Sequence, residues 1–125
     1  LGEKIKNNIS TLSGGMKQRV SLARTMIENK PIVLMDEPFS ALDTINRVKI
    51  QDVAFEFLSK HTVLLVTHDP LEAFRVAHNI ILISGTPAKI KETIRPTGHP
   101  LRSIQDPDLL REHAELLENL KSLPT

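Results

Sequence analysis

The 125-residue chain has no cysteine, no tryptophan and no tyrosine, and aromatic residues make up only 3% of it. Without cysteine there can be no disulfide and no thiolate metal site, a composition that suits a reducing compartment. With so few rings there is no platform on which bases could stack. The net charge is +1 with 25% charged residues, which lacks the basic excess of a dedicated nucleic-acid binder. No nucleic-acid partner is expected. Long apolar runs are missing too. The longest are IVLM, VLLV and IILI, whereas a membrane-spanning helix needs about 20 apolar residues. No signal peptide, internal repeat or low-complexity tract is visible. The first residue is Leu1 rather than Met, so we read the sequence as a fragment or a processed chain.

What is present is an alternation of helical and strand patterns. Residues 1–11 are polar apart from isolated apolar positions such as Ile5 and Ile9, and suggest a short helical or irregular lead-in. Ser13 stands where a helix cap belongs, and Met16, Val20, Ala23 and Ile27 follow at helical spacing until Pro31 ends the pattern. IVLMD (32–36) reads as a buried parallel strand. After the loop EPFSALD, Ile50, Val53, Ala54, Phe57 and Leu58 form one apolar helical face. TVLLVT (62–67) is a second buried strand, and Asp69-Pro70 opens a short helix through Ala77. IILIS (80–84) is a third strand. Gly85 turns it into an edge-like strand in which Ala88, Ile90, Glu92 and Ile94 alternate with polar residues. Residues 95–106, with Pro96, Gly98 and Pro100, read as a linker. Asp106-Pro107 opens a last helix with Leu109, Leu110, His113, Leu116, Leu117 and Leu120 on one face. This order predicts an α/β fold with a mainly parallel sheet.

Three places carry candidate chemistry. Ser13-Gly14-Gly15 heads a helix, where free backbone N–H groups and the helix dipole attract an anion and glycine lets it approach. Taken alone, the same residues make an ordinary helix cap. Asp36 and Glu37 follow a buried strand, at the end where α/β proteins bind ligands. Acids there serve equally as a solvated loop. Pro38 predicts an extended backbone at Glu37. Thr67-His68-Asp69 follows the next strand, and His68 could bond a phosphate. His61, His78, His99 and His113 read as surface or core residues, and no histidine pair has the i, i+4 spacing of a zinc site.

Taken in order, LSGGMKQRVSLAR, IVLMDEP, SALD and VTHD resemble the signature, Walker B, D-loop and H-loop of the nucleotide-binding domain of ATP-binding cassette (ABC) transporters. The likeness runs from about residue 12 to residue 94. Within the family it is strongest to importers of the nitrate, sulfonate, taurine or thiamine-precursor type. The resemblance implies a P-loop NTPase-like fold, with 1–95 the C-terminal part of an ABC ATPase domain and 96–125 a linker and amphipathic helix. It implies ATP and Mg²⁺ as cofactors. Asp36 would hold the Mg²⁺, Glu37 would activate the hydrolytic water, and His68 would touch the γ-phosphate. Ser13, Gly14 and Gly15 would bind nucleotide held by a second ABC ATPase subunit in a head-to-tail dimer, with Asp43 coupling the two sites. Membrane-spanning permease subunits and, indirectly, an extracytoplasmic solute-binding protein would be the other partners, and the place of work the cytoplasmic face of the membrane. The rival readings are an ABC ATPase of DNA repair or translation, and a non-catalytic dimerising module.

Two departures from the family pattern stand out. Met16 replaces the usual glutamine after LSGG, and Gln18, two residues on, points elsewhere on a helix. The larger departure is the P-loop, GxxxxGK followed by Ser or Thr. The five glycines are Gly2, Gly14, Gly15, Gly85 and Gly98, and none precedes a lysine. The chain alone is therefore expected to be inactive. In the family the missing P-loop strand is expected between the strands at 62–67 and 80–84.

Overall fold

Serine and aspartate side chains set where the helices begin. In the computed structural model, which describes residues 12–123, four helices each start on an oxygen that accepts from the first turn. Ser13 caps α1 (Gly14–Glu28), Asp43 caps α2 (Thr44–Phe57), Asp69 caps α3 (Pro70–Val76) and Asp106 caps α4 (Pro107–Lys121). Proline occupies the first position of α3 and α4, where its missing N–H costs nothing. Asn29 ends α1 in the left-handed conformation ahead of Pro31. The lead-in expected over residues 1–11 lies outside the described residues.

The chain divides into two compact units, Leu1–Val66 and Thr67–Thr125. In the first unit, β1 (Ile32–Asp36) and β2 (Thr62–Val66) pair in parallel, Ile32 opposite Thr62 and Asp36 opposite Val66, with α2 as the crossover. Both strands were expected to be buried on both faces. They are covered on one only. Val33 and Met35 join Leu22, Phe39, Leu42, Ala54 and Leu58 in the core, with Val63 and Leu65 packed against it. Ile32, Leu34, Leu64 and Val66 point the other way, each more than half exposed. Among the described residues two helices of this unit pack against the pair, so the alternation of the pleat leaves one apolar face of it exposed.

The helices are also rotated from the faces their apolar spacing suggested. On α1 the inward residues include Leu22, with Gln18 and Thr25 half-buried beside it, while Ala23 is exposed and Ile27 is 82% exposed. On α2 the buried positions are Gln51 and Ala54, followed by Leu58, whereas Val53 and Phe57 face outward.

In the second unit, β3 (Ile80–Ser84) and β4 (Lys89–Ile94) form an antiparallel hairpin, a separate two-stranded sheet. Among the described residues the first unit holds a parallel pair and the second an antiparallel one, in which Gly85, at φ +94°, turns the chain straight back. A register shift at Leu82/Ile83 leaves Lys91 without a partner. That extra residue flips the pleat, so Ile94 lies half-buried opposite Ile80 while Ile90 joins Ile83 on the exposed face. Phe74 of α3 packs with Leu109 and Leu116 of α4, against Ile80, Leu82 and Ile94.

The division anticipated at residue 95 falls inside this second unit. The stretch read as a linker is bound into it by Arg102, which is 3% exposed. Its Nε donates to the Thr97 carbonyl at 2.7 Å. Nη1 donates to the carbonyls of Phe74 and Ala77, and Nη2 to those of Pro96 and Gly98. Burial pulls the guanidinium pKa below its ordinary value, against the opposing pull of Glu112 and Asp106.

Candidate nucleotide-binding site

Six of the seven candidate site residues lie in the first unit, on α1 and on the loop between β1 and α2. Ser13 Oγ accepts from the Met16 N–H at 3.2 Å, which is the cap expected of it. The side chain is exposed, and accepting one hydrogen bond leaves its own O–H free to donate. Gly14 and Gly15 are the first two helical residues. A Cβ on Gly14 would make ordinary contact, 3.6 Å from Ala41 Cβ. One on Gly15 would come within 3.2 Å of Leu42 Cδ2 and 3.3 Å of the Ala41 carbonyl. The second glycine is therefore needed for close packing of α1 against the 41–42 turn, whatever else it does.

Asp36 ends β1 with its side chain exposed. Glu37, half-buried, departs from expectation. Pro38 predicted an extended backbone, but Glu37 has φ +48°, in the left-handed region. That conformation costs a non-glycine residue about 1–3 kcal/mol. The surroundings explain how it holds. The Glu37 N–H donates to the Val66 carbonyl of β2 at 2.8 Å, while its own carbonyl accepts from Gln18 Nε2 at 3.1 Å and Ser40 Oγ at 3.2 Å. The peptide is gripped from both sides, so the local preference is overridden.

Asp43 closes the loop as the cap of α2, accepting from the Asn46 backbone N–H at 3.0 Å and its side-chain amide at 2.6 Å. These bonds, the backbone one first, hold the Asp43 pKa below the usual carboxylate value. Beside the loop lies a pocket of about 170 Å³, whose walls include Gln18, Ser21, Thr25, Asp36 and Glu37. The seventh candidate, His68, stands exposed between β2 and α3, in the second unit.

Gln18 is the residue that sequence reasoning undervalued. It cannot stand in for the missing glutamine at 16, and its side chain points elsewhere: into the 37–41 loop. The signal for it was available. A polar residue four before Leu22 and seven before Thr25 shares their stripe of the helix, and a polar side chain on an inward stripe requires a partner.

Among the described residues no three His, Cys, Asp or Glu side chains gather as a metal cluster. The donor set fits Mg²⁺ only in part. Asp36 offers one exposed carboxylate, and Mg²⁺ commonly takes one or two carboxylates along with waters and substrate phosphates. No helix among the described residues is long and apolar enough to cross a membrane.

Known proteins resemble the chain over most of its length. The family model for ABC transporters matches residues 1–40. An ABC transporter ATP-binding protein of Haemophilus influenzae is 44% identical over 114 residues, 89% of this chain and 48% of that protein. An aliphatic sulfonates import ATP-binding protein of Nocardia farcinica is 39% identical over 113 residues, 89% of this chain and 45% of that one. The chain is similar to these ABC transporter ATP-binding proteins over most of its own length. It spans about half the length of the curated relatives it matches. Its fold is similar to a solved structure from work on ATP-driven dimerization and DNA-stimulated activation of SMC ATPases, with a TM-score of 0.59 at 21% identity, covering 94% of this chain and 66% of that one. That likeness shows the fold alone, a partial α/β domain.

Proposed function

We propose that the chain supplies the signature-to-H-loop half of an ATP-binding, ATP-hydrolysing subunit of an ABC importer, powering solute uptake across the membrane. The observation that carries this reading is the acidic pair at the end of β1. Asp36 is exposed, and Glu37 is held in a left-handed turn by bonds from both sides. Such geometry aims two adjacent carboxylates differently, as two different tasks require.

Glu37 accepts the proton of the attacking water, acting as general base. Asp36 would hold Mg²⁺, which would supply charge neutralisation to the phosphates when bound. Ser13, with its free O–H, and the N–H groups at the head of α1 bind the terminal phosphate of nucleotide held by a second subunit. His68 bonds that phosphate in its own subunit, and Asp43 couples the two sites. The substrates fit the sulfonate, nitrate, taurine or thiamine-precursor group, since relatives at 38–40% identity are aliphatic sulfonate importers. The subunit works at the cytoplasmic face, bound to permease subunits and through them to a solute-binding protein. No glycine in the 125 residues precedes a lysine, so the chain alone is inactive. That absence also supports a second reading, a non-catalytic dimerising module.

The test is ATP turnover by the chain alone and by the chain fused behind the P-loop half of an ABC ATPase. The fusion is expected to hydrolyse ATP, the chain alone not. Glu37→Gln in the fusion should keep ATP binding and lower turnover by ~10²–10⁴-fold. Near-normal turnover in that variant removes Glu37 from the role. A fusion that binds no ATP favours the non-catalytic module.

A further inference from the structure

The residues between Glu37 and Asp43 form no helix or strand, yet they carry the base and the coupling residue of the proposed site. Something must hold them. Both ends of the Gln18 amide bond to this one loop. Its Nε2 donates to the Glu37 carbonyl at 3.1 Å and to Ser40 Oγ at 3.0 Å, and its Oε1 accepts from the Ala41 N–H at 2.9 Å. The orientation of the amide is fixed by chemistry, because a carbonyl partner demands the NH₂ end and an N–H partner demands the oxygen. Ser40 extends the grip by donating its hydroxyl to the same Glu37 carbonyl at 3.2 Å.

We infer that Gln18 is a positioning residue for hydrolysis. It ties the helix headed by Ser13 to the backbone of Glu37 and so fixes where the Glu37 carboxylate stands relative to that helix. The inference rests on the reading of Glu37 as general base. Three features make Gln18 suited to this task. It spans donor and acceptor, so it can hold a carbonyl and an N–H of one loop at once. It lies only one turn beyond the Ser13 cap, so displacement of the head of α1 is transmitted to the loop through a short rigid element. And it bonds the peptide of the residue that pays for a left-handed backbone, where losing one partner lets the chain relax toward the extended form favoured before proline.

Gln18→Met keeps the length of the side chain and removes all three bonds. Gln18→Glu keeps the acceptor for the Ala41 N–H and sets a carboxylate against the Glu37 carbonyl. Two measurements on the 125-residue chain need no activity: hydrogen exchange at Ala41, and the amide–Hα coupling of Glu37, which reports φ. In Gln18→Met, exchange at Ala41 should speed up at least tenfold and the coupling should move toward the extended value. In Gln18→Glu, protection at Ala41 should return while the Glu37 coupling stays shifted. In the P-loop fusion, both variants should lose about tenfold in kcat with KM for ATP within twofold, a split that general loosening of the fold would not give.

Unchanged exchange and coupling in Gln18→Met would overturn the inference, as would kcat and KM moving together. Glu37→Gln is measured alongside. If it retains turnover, the reading of Glu37 as base fails, and the exchange and coupling results alone decide whether Gln18 positions the loop.

Discussion

Each unit contains a stretch without helix or strand, and in each a single side chain bonds repeatedly to its backbone. The means differ. In the first unit, Gln18 is neutral and half-buried and grips residues 37–41 with three hydrogen bonds, two donated and one accepted. In the second, Arg102 is a buried cation that only donates, and it gathers five carbonyls from 74–98. An amide can hold an N–H and a carbonyl of one turn, and so select a backbone conformation. A guanidinium cannot accept, so it collects carbonyls that have lost their ordinary donors. The region around Arg102 has reason to lack donors, since Pro96 and Pro100 carry no N–H. A neutral amide at a half-exposed site can exchange its partners for water at small cost, whereas a buried cation cannot. The first arrangement suits a loop that must respond to a ligand, the second a joint that must stay closed.

The largest expected effect breaks the second arrangement. Arg102→Met should cost about 3 kcal/mol or more, because buried carbonyls left without donors each lose their desolvation energy. Arg102→Lys should recover only part of it, since three donors on a point charge cannot reach five carbonyls. Urea unfolding of the chain, followed by hydrogen exchange in α3 and α4, measures both. Gln18→Met should cost the first unit only about 1 kcal/mol in the same assay. Equal losses would mean that the two joints do not differ in kind.

How much of this was legible beforehand follows from how local each feature is. The caps at Ser13, Asp69 and Asp106 were readable because a cap is decided within four residues. The strands and the order of elements were readable for the same reason. The buried faces of α1 and α2 were not, because apolar spacing alone marked Ile27 and Val53, whereas the core took Leu22 and Gln51. The flip of Ile90 depends on one unpaired residue, Lys91, which periodicity cannot register. Of the site, the residue types and their order were legible. The left-handed backbone of Glu37 was not, since Pro38 argues locally for the opposite and the deciding bonds come from Val66 and Gln18.

A smaller effect sharpens the comparison within the first unit. Gly14 and Gly15 are adjacent, but only the second faces the loop closely. Gly14→Ala should be neutral or stabilise α1 by up to ~1 kcal/mol, the usual helix gain. Gly15→Ala should lose more than that gain, since forcing packed groups apart costs about 1–3 kcal/mol. Thermal unfolding of the pair should move in opposite directions. Equal shifts would mean that the 41–42 turn yields, and that the loop is held by Gln18 rather than by packing.

The smallest effect concerns the far end of the same loop, at Asp43. Its pKa is lowered by the hydrogen bond from the Asn46 backbone N–H, with the Asn46 side chain adding to it. A carboxylate that is more acidic in the folded chain than in the unfolded one stabilises the fold above the unfolded pKa. That contribution is lost as the pH falls through the folded pKa, which lies below the ordinary value of about 4. Because Asp43 is exposed, the change should be confined to the first turn of α2. The Asn46 amide proton should therefore shift in an NMR titration only as the pH drops below about 4, while core amides such as Ala54 stay fixed. Asp43→Asn keeps an oxygen to cap the helix but has no proton to gain. Its Asn46 amide should be flat across the same range. A step of equal size in the Asn variant would trace the low-pH response to some other acid, and would leave Asp43 as a cap and nothing more.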